Sequence, residues 1–349
     1  MTDSPNLDNL DFSRIHFSLA GSGDPWGSLT RLRVKLMKGL SYEATPRVLA
    51  EHFKMSLDDV MTELQPLQDV SLVKEYNGTL RPSFLMTDES ETIRVYDNAR
   101  DFSIYLADTL ETHYEDIKKS YKELDVSDEW DFESLNFLMI GGRIIDIKLL
   151  ENLATISRLM PPAPSRPSPD RPNDRYYFWM IEGEKKHMGE YGLNDYDLPW
   201  SPWRYYSFAQ NFIDGSPNSG REEMDTRCFD LIDAGKVDTP ESLGRELGIP
   251  VVGQSDSMQL EMTSEKYAAL LSKSYQESEK SIKSLHTGLK AGQYAPHSYG
   301  EFFCWYAHIS YSVAIDTLES RGVLTIPPRR FQSAIWFREQ ENEGLLAGT

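Results

Sequence analysis

Few residues in this 349-residue chain stand at spacings that perform chemistry, and they point in three directions. The first is metal binding. Cys304 and His308 stand four apart, as do His297 and Glu301, so each pair shares one face of a helix. A zinc site needs three or four ligands. A packed thiol beside a hydrogen-bonded imidazole is therefore expected at Cys304 and His308, with no metal and no cofactor. No phosphate-cradling loop, dinucleotide fingerprint, HExxH or nucleophile elbow occurs, so no enzymatic activity is expected. The second direction is aromatic: Trp200, Trp203 and Tyr205 in one cluster, Trp305 and Tyr306 with His308 in another. Rings fill cores and also line pockets. These six are the candidates for a pocket holding a small apolar ligand, set against a plain core role. The third direction is polar and basic. Arg47, Lys54, Lys74 and Arg81 suit phosphate oxygens, while Ser56, Thr62 and Gln65 lie along one predicted helix and suit base edges or backbone.

The elements that position this third set are unusually well marked. Leu29, Leu32, Leu36, Met37 and Leu40 recur at helical spacing, with Arg31, Arg33, Lys35 and Lys38 largely off that face. Thr45-Pro46 reads as an N-cap and first helical residue. Ser56 is a second N-cap, with Asp59 at the capping-box position. Val60, Leu64 and Leu67 give that second helix an inner face. Asn77-Gly78 separates two strand-like runs, the strongest short hairpin signal. Helix, helix, turn, helix, hairpin resembles the winged helix-turn-helix domain of MarR- and ArsR-type regulators of bacteria and archaea. The resemblance covers about 57 residues of the 349. It implies a DNA-binding transcriptional regulator, dimeric on paired half-sites, with a C-terminal sensory and dimerisation region. The contact set would then be Arg47, Lys54, Ser56, Thr62, Gln65, Lys74 and Arg81.

Charge pulls the other way. The net charge is −19, while Gly27 to Pro82 holds eight Lys/Arg against seven Asp/Glu, leaving −20 for the remainder. DNA binding is driven largely by cations at phosphates. The alternative is an acidic tandem winged-helix subunit that binds protein, similar to partner subunits of chromosome-organising complexes. No apolar run is long enough to span a membrane. The first 25 residues lack the basic and apolar regions of a signal peptide, and two cysteines are too few for a disulfide framework. A cytoplasmic protein is expected.

In order, the chain is expected to hold a flexible tail (1–25), the winged helix (26–85) and a helical unit with a returning strand (86–182). An aromatic connector (183–217), a degenerate second copy (218–340) and a short tail (341–349) follow. The fold class is mainly α with short β-hairpins. Four weak matches in the same order support the second copy: Thr239-Pro240 echoes Thr45-Pro46, Met262-Thr263 echoes Met86-Thr87, Leu318-Glu319 echoes Leu150-Glu151, and Ile335 to Glu339 echoes Phe178 to Glu182. The offset drops from 194 to 176 between the first two, a loss of 18 residues that would remove the recognition-type helix and first wing strand. Pro161 to Pro172 reads as an extended spacer.

Overall fold

In the computed structural model, which describes residues 7–338 apart from 211, 214, 215, 218, 296, 297, 328 and 329, the chain is mainly helical with short sheets. His297, Glu339 and the terminal segment 341–349 lie outside the described residues. The first half contains β1 (Ile15–Ser22), α1 (Arg31–Ser41), α2 (Pro46–Phe53) and α3 (Leu57–Asp69). The wing strands β2 (Val73–Tyr76) and β3 (Thr79–Pro82) follow, then β4 (Leu85–Thr87) and the long α4 (Glu89–Tyr121). Next come α5 (Phe132–Asn136), a π-helical stretch (Phe137–Leu149), α6 (Leu150–Thr155) and β5 (Arg175–Glu182).

The second half begins with the hairpin β6 (Tyr191–Asp197) and β7 (Trp203–Gln210), so the segment expected to be a connector is part of a sheet. A two-residue ribbon, β8 (Phe212–Ile213) and β9 (Ser216–Pro217), leads to α7 (Ser219–Asp233) and α8 (Pro240–Leu247). Then come β10 (Val251–Val252), α9 (Gln254–Thr287), α10 (Lys290–Tyr294), α11 (Tyr299–Ser320) and β11 (Phe331–Phe337).

The two halves share one wiring. In the first, β5 lies between β4, which is parallel to it, and β1, which is antiparallel. In the second, β11 lies between β10, parallel, and β7, antiparallel, with β6 added beyond β7. Each central strand separates two cores. Trp179 and Trp336 face the large helical core, whereas Phe178 and Ile335 face the small cores under α1–α3 and α7–α8. Leu85 sits opposite Trp179 and Val252 opposite Trp336, an offset of 252 − 85 = 167. The offset thus falls from 194 at the Thr-Pro caps to 167, a gap of 27 residues. The missing piece is α3 and both wing strands, larger than the 18 residues expected. The difference arises because Met262-Thr263 lies inside α9, two turns past its start, and is not the counterpart of Met86-Thr87.

The long helices cross over: α4 packs on α11 of the second half, and α9 packs on the π-helical stretch and α6 of the first. Polar ties run along this seam. Lys148, almost fully buried, lies between Glu151 and Glu261, and Arg143 also reaches Glu261. The Asp256 carboxylate accepts from the backbone N–H groups of Asp125 and Val126 at 2.9 and 2.8 Å. Gly141 admits the Phe208 ring of β7, since a Cβ there would stand 2.4 Å from a ring carbon. Gly141-Gly142 is where β7 seats on the helix.

The N-terminal segment is a further correction. Residues 15–22, expected to belong to a flexible tail, pair with β5 along all eight positions. Ile15, Phe17 and Leu19 alternate at the period of a strand and pack on the winged-helix core. Their partner lies some 160 positions away, which hides the pairing from local pattern.

Candidate interaction surface

The helix-turn-helix is built by its caps. Thr45 Oγ1 accepts from the Val48 N–H at 3.3 Å, and Pro46 opens α2. Lys54 closes it in the left-handed region at φ 53°. Ser56 and Asp59 then form a reciprocal capping box at the start of α3, with bonds of 3.0 and 3.3 Å. At the wing tip Asn77 and Gly78 both take positive φ, 50° and 77°, in a two-residue turn between paired Tyr76 and Thr79.

Val60, Leu64 and Leu67 bury the inner side of α3. Its outer side presents Leu57, Asp58, Met61, Thr62, Gln65 and Asp69. Leu57 is 41% exposed and Met61 38%, and Val48 on the adjoining α2 is 52% exposed, so three large apolar side chains face solvent where base-reading groups would sit. The helix contains Asp58, Asp59, Glu63 and Asp69 and no Lys or Arg.

The residues singled out for DNA are placed as follows. Ser56 is occupied as a cap. Thr62 Oγ1 donates to the Asp58 carbonyl at 2.8 Å, and Gln65 Nε2 donates to Asp69 Oδ1 at 2.7 Å, so both polar groups are held within their own helix. Arg81 reaches Glu43 at 3.4 Å. Lys74 is half-buried, and burial first, then the Arg166 guanidinium, pushes its pKa down. Arg47 and Lys54 are exposed, and neither has an ion pair among the described residues. Of the four cations only Arg47 and Lys54 are exposed; Lys74 and Arg81 are part-buried.

The aromatic candidates are divided between two cores. Trp305 and Tyr306 are buried in the large one, where the indole N–H donates to the His187 carbonyl at 2.7 Å and the phenol to Asn98 Oδ1 at 2.9 Å. His308 Nδ1 lies 2.7 Å from the Cys304 carbonyl and 3.7 Å from its sulfur. Burial pushes the Cys304 thiol well above its ordinary value. Tyr205 lies in the small second core with Trp200 and Trp203 packed against it. The six therefore do not share one core. A cleft along α7 is lined by Glu222, Glu223, Arg227, Asp230 and Lys236 and by no aromatic ring. Among the described residues no group of three or more His, Cys, Asp or Glu is placed to hold a metal ion, and no helix is long and apolar enough to cross a membrane.

Sequence reasoning missed the residue that ties the head to the body. Arg166, inside the proline-rich segment, is fully buried. Its guanidinium donates to the Ser71 carbonyl and Ser83 Oγ, each at 2.9 Å, and to the Ser83 carbonyl at 3.1 Å, at the base of the wing. It also pairs with Glu301 of α11. Burial raises the Glu301 carboxyl to about 7, against the lowering effect of Arg166. The one available signal was an arginine within a run of prolines.

Compared with family models, curated proteins and solved structures, the chain matches none of them.

Proposed function

We propose that this protein is an interaction module whose winged helix binds a protein partner and does not read DNA sequence. The observation carrying this reading is the outer face of α3, with Leu57 and Met61 exposed beside acids and no cation on the helix. Depletion of cations at a site meant for phosphates is costly, whereas exposed apolar groups ringed by polar ones suit a protein interface. The second half is read as a degenerate copy that keeps the scaffold and has lost the head. The regulator reading retains one observation in its favour: Arg47 at the start of α2 and Lys54 at its end are exposed.

Retention of genomic DNA fragments, measured down to about 50 mM salt, tests the choice. Each phosphate contact adds about 0.9 to the slope of log affinity against log salt. The expected result is no retention, with the double variant Lys74→Glu, Arg81→Glu behaving as the parent. Salt-dependent binding that this double variant weakens for all sequences alike would overturn the proposal and restore the regulator.

A further inference from the structure

Strand β1 lies at the edge of its sheet, and the structure defines which of its backbone groups are unpaired. The Gly183 N–H donates to the Arg14 carbonyl at 2.8 Å, directly across the ladder from β5. In an antiparallel pair, hydrogen-bonded positions alternate. Arg14, His16, Ser18 and Ala20 therefore turn their backbone groups toward β5, and Ile15, Phe17, Leu19 and Gly21 turn theirs outward. The Ile15 N–H is taken up by the Phe12 carbonyl of the preceding turn, whereas the outward groups of Phe17, Leu19 and Gly21 have no hydrogen-bond partner among the described residues.

The second half shows what belongs at this edge. The Ile335 N–H donates to the Pro250 carbonyl, so Ile335 faces β10 with its backbone, and its neighbour across the ladder, Tyr205, turns away toward β6. Ile335 holds the place of Phe178, and Leu19 lies opposite Phe178 as Tyr205 lies opposite Ile335. Tyr205 is paired with Tyr196 of β6. The edge that β6 closes in the second half is open at β1.

Edge strands are normally protected by charge, proline or a bulge. The eight residues Ile-His-Phe-Ser-Leu-Ala-Gly-Ser contain no proline, lysine, arginine or carboxylate, although the chain carries −19 overall. They are also self-complementary. Placing Ser18 opposite its own equivalent sets Phe17 against Leu19 of the second copy, Ile15 against Gly21 and His16 against Ala20. Every outward residue then meets an outward residue, and no like charges oppose each other.

We propose that β1 is a dimerisation edge, where two copies of this chain join by antiparallel pairing of β1 with β1 about a two-fold axis at Ser18. The interface is isologous and makes one six-stranded sheet, β4-β5-β1 continued by β1-β5-β4. It does not depend on what the winged helix binds.

Cysteine cross-linking of the full chain tests it, because the native Cys228 and Cys304 are buried. At a non-hydrogen-bonded antiparallel position the Cα atoms stand about 4.5 Å apart, within disulfide range. Ser18→Cys should form a disulfide-linked dimer under mild oxidation, and the parent should sediment as a dimer at micromolar concentration. Ser22→Cys is the control: Ser22 falls opposite Arg14 of the second copy, which puts the two introduced thiols eight residues, roughly 26 Å, apart, and it should stay unlinked. Ser18→Lys, which opposes two lysines on the axis, should weaken dimerisation at least tenfold with an unchanged monomer circular dichroism spectrum. A monomer at all concentrations overturns the proposal. So does a dimer in which Ser18→Cys does not cross-link, which would place the interface elsewhere, or one in which Ser22→Cys links as readily, which would indicate random collision.

Discussion

From the N-cap of its second helix to the parallel strand of its sheet, the first half takes 40 residues, Thr45 to Leu85; the second takes 13, Thr239 to Val252. Around that interval the two halves share a common frame. Each has a helix pair on one face of a three-strand unit, a long helix of 33 or 34 residues on the other, and a buried tryptophan on the central strand. The comparison separates what the scaffold needs from what it carries. Since α8 runs through Gly248 to Pro250 directly into β10, neither α3 nor the wing is required to close the sheet. They are additions to the scaffold, and under the proposed function their exposed face is where a partner docks.

The largest expected effect comes from the feature the halves share. Trp179→Ala and Trp336→Ala should each cost about 3–5 kcal/mol in denaturant unfolding, the range for emptying a buried aromatic site. The milder Trp→Phe change should divide the halves. The Trp336 indole donates to Ser257 Oγ at 2.9 Å, while the Trp179 indole nitrogen has no partner among the described residues. Trp336→Phe should therefore be the costlier of the two. Equal costs would break the distinction.

Next is a tie that only the first half possesses. Arg166→Met should destabilise by about 3–5 kcal/mol, because it leaves the Glu301 carboxyl buried without its cation. The carboxyl also sets a pH dependence. Its folded pKa of about 7 lies above the ordinary 4.5, so between those values the folded chain holds a proton that the unfolded chain has released. Its contribution to stability declines as pH rises through that window. Unfolding midpoints from pH 4.5 to 7 should show this slope in the parent and lose it in Glu301→Gln. A parent whose stability is unmoved by this substitution at every pH would contradict the assignment.

The smallest effect lies at the equivalent helix ends. Lys54 and Gly248 both close an eight-residue helix in the left-handed region, at φ 53° and 69°. Only glycine takes that conformation without steric cost. Lys54→Gly should stabilise by about 0.5–1 kcal/mol and Gly248→Lys should destabilise by about 1 kcal/mol, read as opposite shifts in thermal midpoint.

How much of this was legible in the sequence depended on distance along the chain. The winged helix could be read because its determinants are local: two N-caps, a capping box and Asn77-Gly78 lie within a few residues of what they fix. Trp179 and Trp336 stand at corresponding positions on a short buried strand in each half. What stayed hidden was long-range. The alternation in Ile15, Phe17 and Leu19 is a real strand signal, but it takes Phe178 and Met180 to make it a sheet. Arg166 looked like part of a solvated spacer, because its partners Ser71, Ser83 and Glu301 come from distant segments. The expected contact residues fall on α2, α3, their caps and the hairpin, yet sequence did not reveal that Gln65, Thr62 and Arg81 are engaged within the chain.

The central claim is that the outer face of α3 meets protein. A photo-reactive amino acid placed at Met61, with the still more exposed Met262 on α9 as control, tests it in the native cell. The account predicts discrete protein adducts at Met61, absent at Met262 and abolished by Leu57→Asp, with no nucleic acid attached. Nucleic acid cross-linked at Met61, or the same products from both positions, would contradict it.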